Sequence, residues 1–242
     1  MREHRTATTT AGVLYIIGTV AGVLCKLLVQ GPVRNAADPL AYAAEHSSRV
    51  ATGALLILVM GLALAFVPVV LFPVLRRVDE VLAIGYLTLR GAVEAACYVI
   101  SALAMLLLVP LSGVMSAGPG TASPAGVRLG IFLIDSDAVG VVLSIVFCLG
   151  GAMFYALLLR SRLVPRWLAG WGLAGIPFYV AAFVLALYDV IGYTSTALNL
   201  LVLPLALQEM VLGVWLIVRG FRSAGGTTTP ESASGALAGV HS

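Results

Sequence analysis

The chain has 242 residues, of which 60% are hydrophobic and only 10% are charged, and its mean hydropathy is +1.05. Soluble globular domains carry about 25% charged residues, so this composition excludes a water-soluble fold and indicates an integral membrane protein. The net charge of +3 comes from arginines at the ends of apolar segments and gives no reason to expect a nucleic-acid partner. The expected partner is the lipid bilayer.

Six apolar segments follow one another along the chain, each long enough, at about 20 residues, to cross a bilayer as a helix. They predict an all-α, polytopic transmembrane bundle that forms a single domain over residues 1–222. The small polar tail, residues 223–242, is expected to be disordered. The predicted spans are residues 10–29, 50–75, 81–109, 131–159, 167–189 and 194–218.

Two connections between these spans are predicted to be sizeable loops on the same side of the membrane. The first covers residues 30–49. The second covers residues 110–130 and is rich in Gly, Pro and Ser, a composition typical of a flexible loop.

Basic residues are distributed unequally between the two sides of this arrangement. Cytoplasmic connections of membrane proteins carry an excess of Lys and Arg, which predicts that both termini lie in the cytoplasm. The strong preference for Arg over Lys, together with abundant Ala, Val, Leu and Gly, suggests a GC-rich bacterial genome and therefore a bacterial plasma membrane. The richer side carries Arg2, Arg5, Arg76, Arg77, Arg160, Arg162, Arg166, Arg219 and Arg222, and the other side carries Lys26, Arg34, Arg49 and Arg128.

Four charged residues fall inside the predicted spans rather than at their ends: Arg90, Glu94, Asp137 and Glu209. Ionisable side chains at membrane depth are costly and usually face a protein interior or a watery cavity, so they indicate a functional site. We expect these four side chains to bind a ligand, with Tyr98 and Asn199 as further hydrogen-bonding partners. The same reasoning allows Tyr86 and Gln208 to contribute.

The depths of these residues suggest how they pair. At about 1.5 Å per helical residue, Arg90 and Glu209 both lie about 13 Å from the arginine-rich side, which predicts an ion pair between the third and sixth spans. Glu94 lies one helical turn from Arg90 on the same face, so Arg90 could pair with Glu94 instead. Asp137 enters from the opposite side and reaches about the level of Glu94.

Two interpretations of this set remain open. The Arg90–Glu209 pair could simply lock two spans together, or the charges could line a polar cavity. Glu94 and Asp137 with a single arginine leave one carboxyl unmatched, and we expect that carboxyl to be protonated at neutral pH. Glu94, Asp137 and Glu209 are therefore the candidate catalytic acids or bases.

No motif in the sequence indicates a cofactor or a metal. Residues 170–175 match the pattern G-x-G-x-x-G but follow a basic segment rather than a strand, so helix packing explains them better than a dinucleotide. His46 has only Glu45 beside it, which does not make a metal site. The three cysteines lie in apolar segments without metal-ligand spacing and are expected to be small buried residues: Cys25, Cys97 and Cys148.

Four segments carry a family resemblance: residues 5–17, 89–95, 163–170 and 204–220. They resemble a bacterial membrane family known as domain of unknown function 4386, over roughly residues 5–222. The resemblance implies six or seven membrane helices and brings no established activity. Arg90, Glu94 and Glu209 occupy its polar positions, whereas the segment around Asp137 does not match it.

Three functions remain compatible with the sequence. The first is binding or transport of a small amphipathic or lipidic ligand. The second is an intramembrane acid–base enzyme, such as a cyclase or isomerase of an isoprenoid-like substrate, and the third is a non-catalytic membrane scaffold. A polar cavity open to one leaflet would favour the first two, and a site filled by side chains would favour the third. Oligomeric state is not indicated by the sequence.

Overall fold

In the computed structural model, the described residues are 2–115, 128, 137–192 and 195–222. These residues form helices, turns and irregular segments, with no strand among them. The prediction of an all-α fold is confirmed. The tail that was expected to be disordered lies outside the described residues.

Seven helices can be followed through the described ranges, and two of them contain a π-helical segment. The first, α1, runs over Arg2–Cys25 and continues through a π-helical segment, Lys26–Gln30, into a last turn, Gly31–Arg34. The fourth, α4, is built from Glu80–Tyr86, a π-helical segment at Leu87–Val93, and Glu94–Met115. The others are α2 at Pro39–Glu45, α3 at Ser47–Leu75, α5 at Asp137–Ser161, α6 at Arg166–Leu187 and α7 at Thr196–Val218.

Six of the helices in the described ranges are long and apolar enough to cross a membrane, and the chain is a multi-pass membrane protein. Five of the observed spans overlap the predicted ones almost completely. The fourth was predicted to begin at residue 131, but residues 129–136 lie outside the described part of the chain. The spans are Arg5–Val33, Ser47–Leu75, Glu80–Gly113, Gly140–Ser161, Arg166–Leu187 and Thr196–Val218.

The prediction of a loop over residues 30–49 was wrong in part, because this connection contains the short helix α2. The Asp38 carboxylate caps the helix by accepting hydrogen bonds from the amides of Leu40 and Ala41, at 3.0 and 3.2 Å. Pro39 occupies the first turn, where its missing N–H costs nothing, and Leu40 is buried. Asp-Pro is therefore a helix start here rather than a turn.

The predicted loop over residues 110–130 begins later than expected. Helix α4 continues through Pro110 and reaches Met115. Apart from Arg128, the remainder of that loop lies outside the described residues.

The six spans form a closed ring in which every helix packs against two neighbours. Helix α1 packs against α3 and α7, α4 packs against α3 and α5, and α6 packs against α5 and α7. Side chains from all six spans therefore point into one enclosed interior, which holds most of the buried residues.

The ring closes where the first and last helices meet. A Cβ atom on Gly12 of α1 would lie 2.5 Å from the carbonyl oxygen of Gly213 on α7, so glycine is required for this close approach. The Arg5 guanidinium donates hydrogen bonds to the carbonyls of Ile217 and Val218 at 3.1 and 3.0 Å. The N-terminal end of α1 and the C-terminal end of α7 consequently lie on the same side of the bundle.

The excess of arginine on that side leads us to expect that it faces the cytoplasm. Ala37, in the α1–α2 connection, and Val78, in the α3–α4 connection, are exposed on opposite sides of the ring. Ala37→Cys should react with a membrane-impermeant maleimide in intact cells, and Val78→Cys should react only after permeabilisation. The native cysteines are buried, so the unsubstituted protein provides a low background. Labelling of Val78→Cys in intact cells would contradict the expected orientation.

Candidate functional site

Arg90 lies in the middle of the π-helical segment of α4. The amide of Glu94 donates its hydrogen bond to the carbonyl of Leu89, five residues earlier, rather than to that of Arg90. Such a turn is wider than an α-helical one, and π-helical segments occur frequently at functional sites. The charged part of α4 thus has a backbone geometry that distinguishes it from the rest of the helix.

Three charged side chains meet inside the ring. Nε of Arg90 lies 3.1 Å from Oε2 of Glu94 on the same helix, and Nη2 of Arg90 lies 3.1 Å from Oε1 of Glu209 on α7. Arg90 and Glu94 are almost fully enclosed, at 2% and 1% exposed, whereas Glu209 is 14% exposed. The structure therefore answers the question left open by the sequence, because Arg90 contacts both acids. We refer to Arg90, Glu94 and Glu209 as the charged cluster.

The hydrogen bonding of the charged cluster is incomplete. Nη2 of Arg90 donates a hydrogen bond to Glu209, but the contact with Glu94 is not aligned for one. Within the described part of the chain, Nη1 of Arg90 and both carboxylate oxygens of Glu94 are buried without a hydrogen-bond partner. The large majority of buried side-chain polar atoms in native proteins have at least one hydrogen-bond partner. These three atoms are available to a further polar group.

Aromatic rings and a glycine position the guanidinium. Its central carbon lies 4.3 Å from the centre of the Phe147 ring on α5, a distance at which a desolvated cation–π contact is favourable by about 2 kcal/mol. Phe147 in turn stacks on Tyr179 of α6, with ring centres 4.9 Å apart. A Cβ on Gly150 would lie 2.6 Å from Cγ of Arg90, so this glycine makes room for the arginine stem.

Neighbouring polar side chains are satisfied by one another. The Tyr155 hydroxyl donates to Oε1 of Gln208 at 2.7 Å, and Nε2 of Gln208 donates to the carbonyl of Leu168 at 3.0 Å. The hydroxyls of Tyr15 and Tyr86 lie 3.5 Å apart. These buried contacts tie α5, α6 and α7 together, and α1 to α4. Their completeness contrasts with the unpartnered atoms of Glu94.

The family model described as Domain of unknown function (DUF4386) matches residues 10–220. The chain belongs to this family. The matched residues extend from α1 to the end of α7, so the charged cluster of this DUF4386 protein lies within the family's shared region. No curated protein and no solved structure matches the chain.

The structure brings some of the predicted site residues together and separates others. Tyr98 lies one turn beyond Glu94, beside its carboxylate but without an aligned hydrogen bond. Asn199 does not belong to the cluster, because it lies about 15 Å along α7 from Glu209. Its Oδ1 accepts a hydrogen bond from Nζ of Lys26 at 2.9 Å. Asp137 is the first residue of α5, and its side chain lies outside the described part of the structure.

Sequence reasoning did not identify Phe147, Gly150 or Tyr155 as part of this environment. Phe and Tyr are common in apolar segments, and their contact with Arg90 or Gln208 depends on which helices are neighbours in the ring. A glycine inside a membrane helix usually lets a neighbouring helix approach closely. The actual neighbour of Gly150 is an arginine side chain, and no sequence pattern carries that information.

Arg90 is buried and lies 3.1 Å from both Glu94 and the partly buried Glu209, so removing the arginine should leave two acids without a cation, whereas removing Glu209 leaves Arg90 paired with Glu94. We expect Arg90→Met to destabilise the DUF4386 protein by about 3–5 kcal/mol and Glu209→Gln to destabilise it less. The double variant should be less damaged than the sum of the two changes. Thermal unfolding in a mild detergent would measure this coupling.

The exposed pair formed by Arg160 and Asp79, with Nη1 and Oδ2 2.7 Å apart, supplies a matched control. Its coupling should be about 0.2–1 kcal/mol, since water screens both charges. The coupling energy of each pair is the difference between the stability lost in the double variant and the sum of the losses in the two single variants. If this energy is equal for the two pairs, or is zero for Arg90 and Glu209, the buried pair has no special energetic role.

Proposed function

We propose that this DUF4386 protein binds a small amphipathic or lipidic ligand in the membrane, with the ligand's polar group held at the charged cluster, and that it transports this ligand. The observation that supports the proposal best is the set of three buried, unpartnered atoms on Arg90 and Glu94. A structural ion pair would be expected to satisfy these atoms within the protein. A ligand with a polar group could supply the partners that the chain does not.

The ring arrangement of the spans supports the same proposal. Arg90 and Glu94 project from α4 and Glu209 projects from α7, two helices that are not neighbours in the ring. The space between α4 and α7 is therefore crossed by charged side chains, and the backbones of these two helices do not pack against each other. The aromatic rings of Phe147 and Tyr179 beside it offer an apolar surface suited to the hydrocarbon part of an amphipathic molecule.

A non-catalytic scaffold is the second candidate, and the close packing around Arg90 favours it. Arg90 is 2% exposed, and its stem lies so close to Gly150 that a single methyl group would not fit between them. Two grooves of about 390 and 380 Å³ are not lined by any residue of the cluster: one is lined by residues such as Ser47 and Pro110 and the other by residues such as Met210 and Trp215. In a scaffold, the charged cluster would serve only to hold α4 and α7 together.

We also propose that the protein resides in the plasma membrane of a bacterial cell, with both chain ends in the cytoplasm. The unequal distribution of arginines supports the orientation, and the composition of the chain supports the bacterial origin.

A ligand panel can decide between a binding protein and a scaffold. The purified protein in a nonionic detergent would be unfolded thermally with decanol, decanoate or decylammonium present. A ligand at 100 times its Kd stabilises the folded state by about 2.7 kcal/mol. We expect at least one probe to raise the Tm of the wild type and to have no effect on Glu94→Gln.

Glu80→Gln is the matched control, because it makes the same substitution at an exposed acid on the same helix. This variant should respond to the probe as the wild type does. If no probe raises the Tm, or if Glu94→Gln is stabilised as much as the wild type, the proposed binding site is wrong. The first of these outcomes would favour the scaffold.

A further inference from the structure

We infer that the ligand's polar group is a cation, most simply a protonated amine, and that it exchanges with a proton at the charged cluster. This inference rests on the proposed function and names the class of ligand for the same site.

The charges of the cluster do not balance. Arg90 contributes one positive charge, and Glu94 and Glu209 together would contribute two negative charges. In the described part of the chain, Arg90 is the one cation that interacts with the Glu94 carboxylate. An uncompensated charge at membrane depth is costly, so the cluster requires one further positive charge.

The unpartnered atoms of Glu94 match an ammonium group. Both carboxylate oxygens are buried and accept no hydrogen bond from any described residue, and a primary ammonium carries three donors and no acceptor. An anionic ligand could use Nη1 of Arg90, but it would add a third negative charge to a cluster that already has an excess of one. The electrostatics therefore favour a cation over an anion.

The walls of the site also suit a cation. Phe147 already lies against the Arg90 guanidinium, and Tyr179 stacks on Phe147. The negative face of an aromatic ring attracts an organic cation, and the attraction is strongest where water is excluded. A second cation entering beside Arg90 would find Tyr98 and Tyr179 on the side of Glu94.

When no cation is bound, a proton can supply the missing charge. The reaction is then a simple exchange: a carboxylic acid in the cluster loses its proton to solvent as an alkylammonium ion pairs with the resulting carboxylate. Besides Arg90 and Glu209, the titratable groups that interact with Glu94 come from α1, α4, α5 and α6, and they are Tyr15, Cys97, Tyr98, Cys148 and Tyr179. The described part of α3 places no titratable group beside Glu94.

Isothermal titration calorimetry of the full chain in a nonionic detergent would test the inference with decylammonium, decanoate and decanol, which share one alkyl chain. Decylammonium should bind at least about tenfold more tightly than decanoate, and its affinity should rise with pH. The apparent enthalpy should differ between two buffers of different ionisation enthalpy, because one proton is released for each cation bound.

Variants separate the possible outcomes. Glu94→Gln should lose cation binding by about tenfold or more, and Glu80→Gln should keep it. If decanoate binds more tightly than decylammonium and Glu94→Gln or Arg90→Met abolishes that binding, the site holds a ligand but the cation inference is wrong. Cation binding with no proton release would overturn the exchange, and absence of binding by all three probes would overturn the proposed function itself. If Glu94→Gln does not fold, the inference is still tested by how the affinity of the wild type for decylammonium changes with pH and how the binding enthalpy changes with buffer.

Discussion

A guanidinium enclosed by six membrane helices needs partners, and much of the interior of this protein follows from that need. Arg90 is held between Glu94 and Glu209 at 3.1 Å on each side, with the Phe147 ring against its face. Losing one partner of a buried ion pair costs about 3–5 kcal/mol. The cluster is therefore a strong constraint on how α4 and α7 are placed across the ring, although their backbones do not pack together.

The buried polar groups fall into two kinds: those whose hydrogen bonds are complete and hold the structure together, and those of the cluster, whose unpartnered atoms are available for function. Polar groups such as Tyr155 and Gln208 form complete hydrogen bonds and hold their helices in place. Glu94 is as deeply buried, yet its carboxylate makes only an ion contact and accepts no hydrogen bond from the described residues. A protein that needed only stability would gain from a balanced pair, and the proposed exchange of a proton for a cation would account for the excess of one acid.

The sequence predicted the fold well, because twenty-residue apolar segments and the spacing of arginines are strong signals of membrane helices. Counting depth along the helices also predicted the contact between Arg90 and Glu209. The helix α2 was missed even though Asp38-Pro39 is a recognisable helix start. Asn199 was assigned to the site on residue type alone, whereas it lies at the far end of α7 with Lys26. The π-helical turn around Arg90 and the contact between Gly150 and its stem depend on packing between helices and leave no local pattern.

The central claim is that the two acids of the cluster carry one proton when no ligand is bound. Infrared difference spectroscopy of the carboxylic acid C=O stretch, followed through a pH titration of the ligand-free protein, tests it most directly. The account predicts a protonated-carboxyl band at neutral pH that Glu94→Gln or Glu209→Gln removes, that Glu80→Gln preserves, and that decylammonium bleaches. Absence of that band at neutral pH, or a band that neither substitution in the cluster changes, would contradict the account.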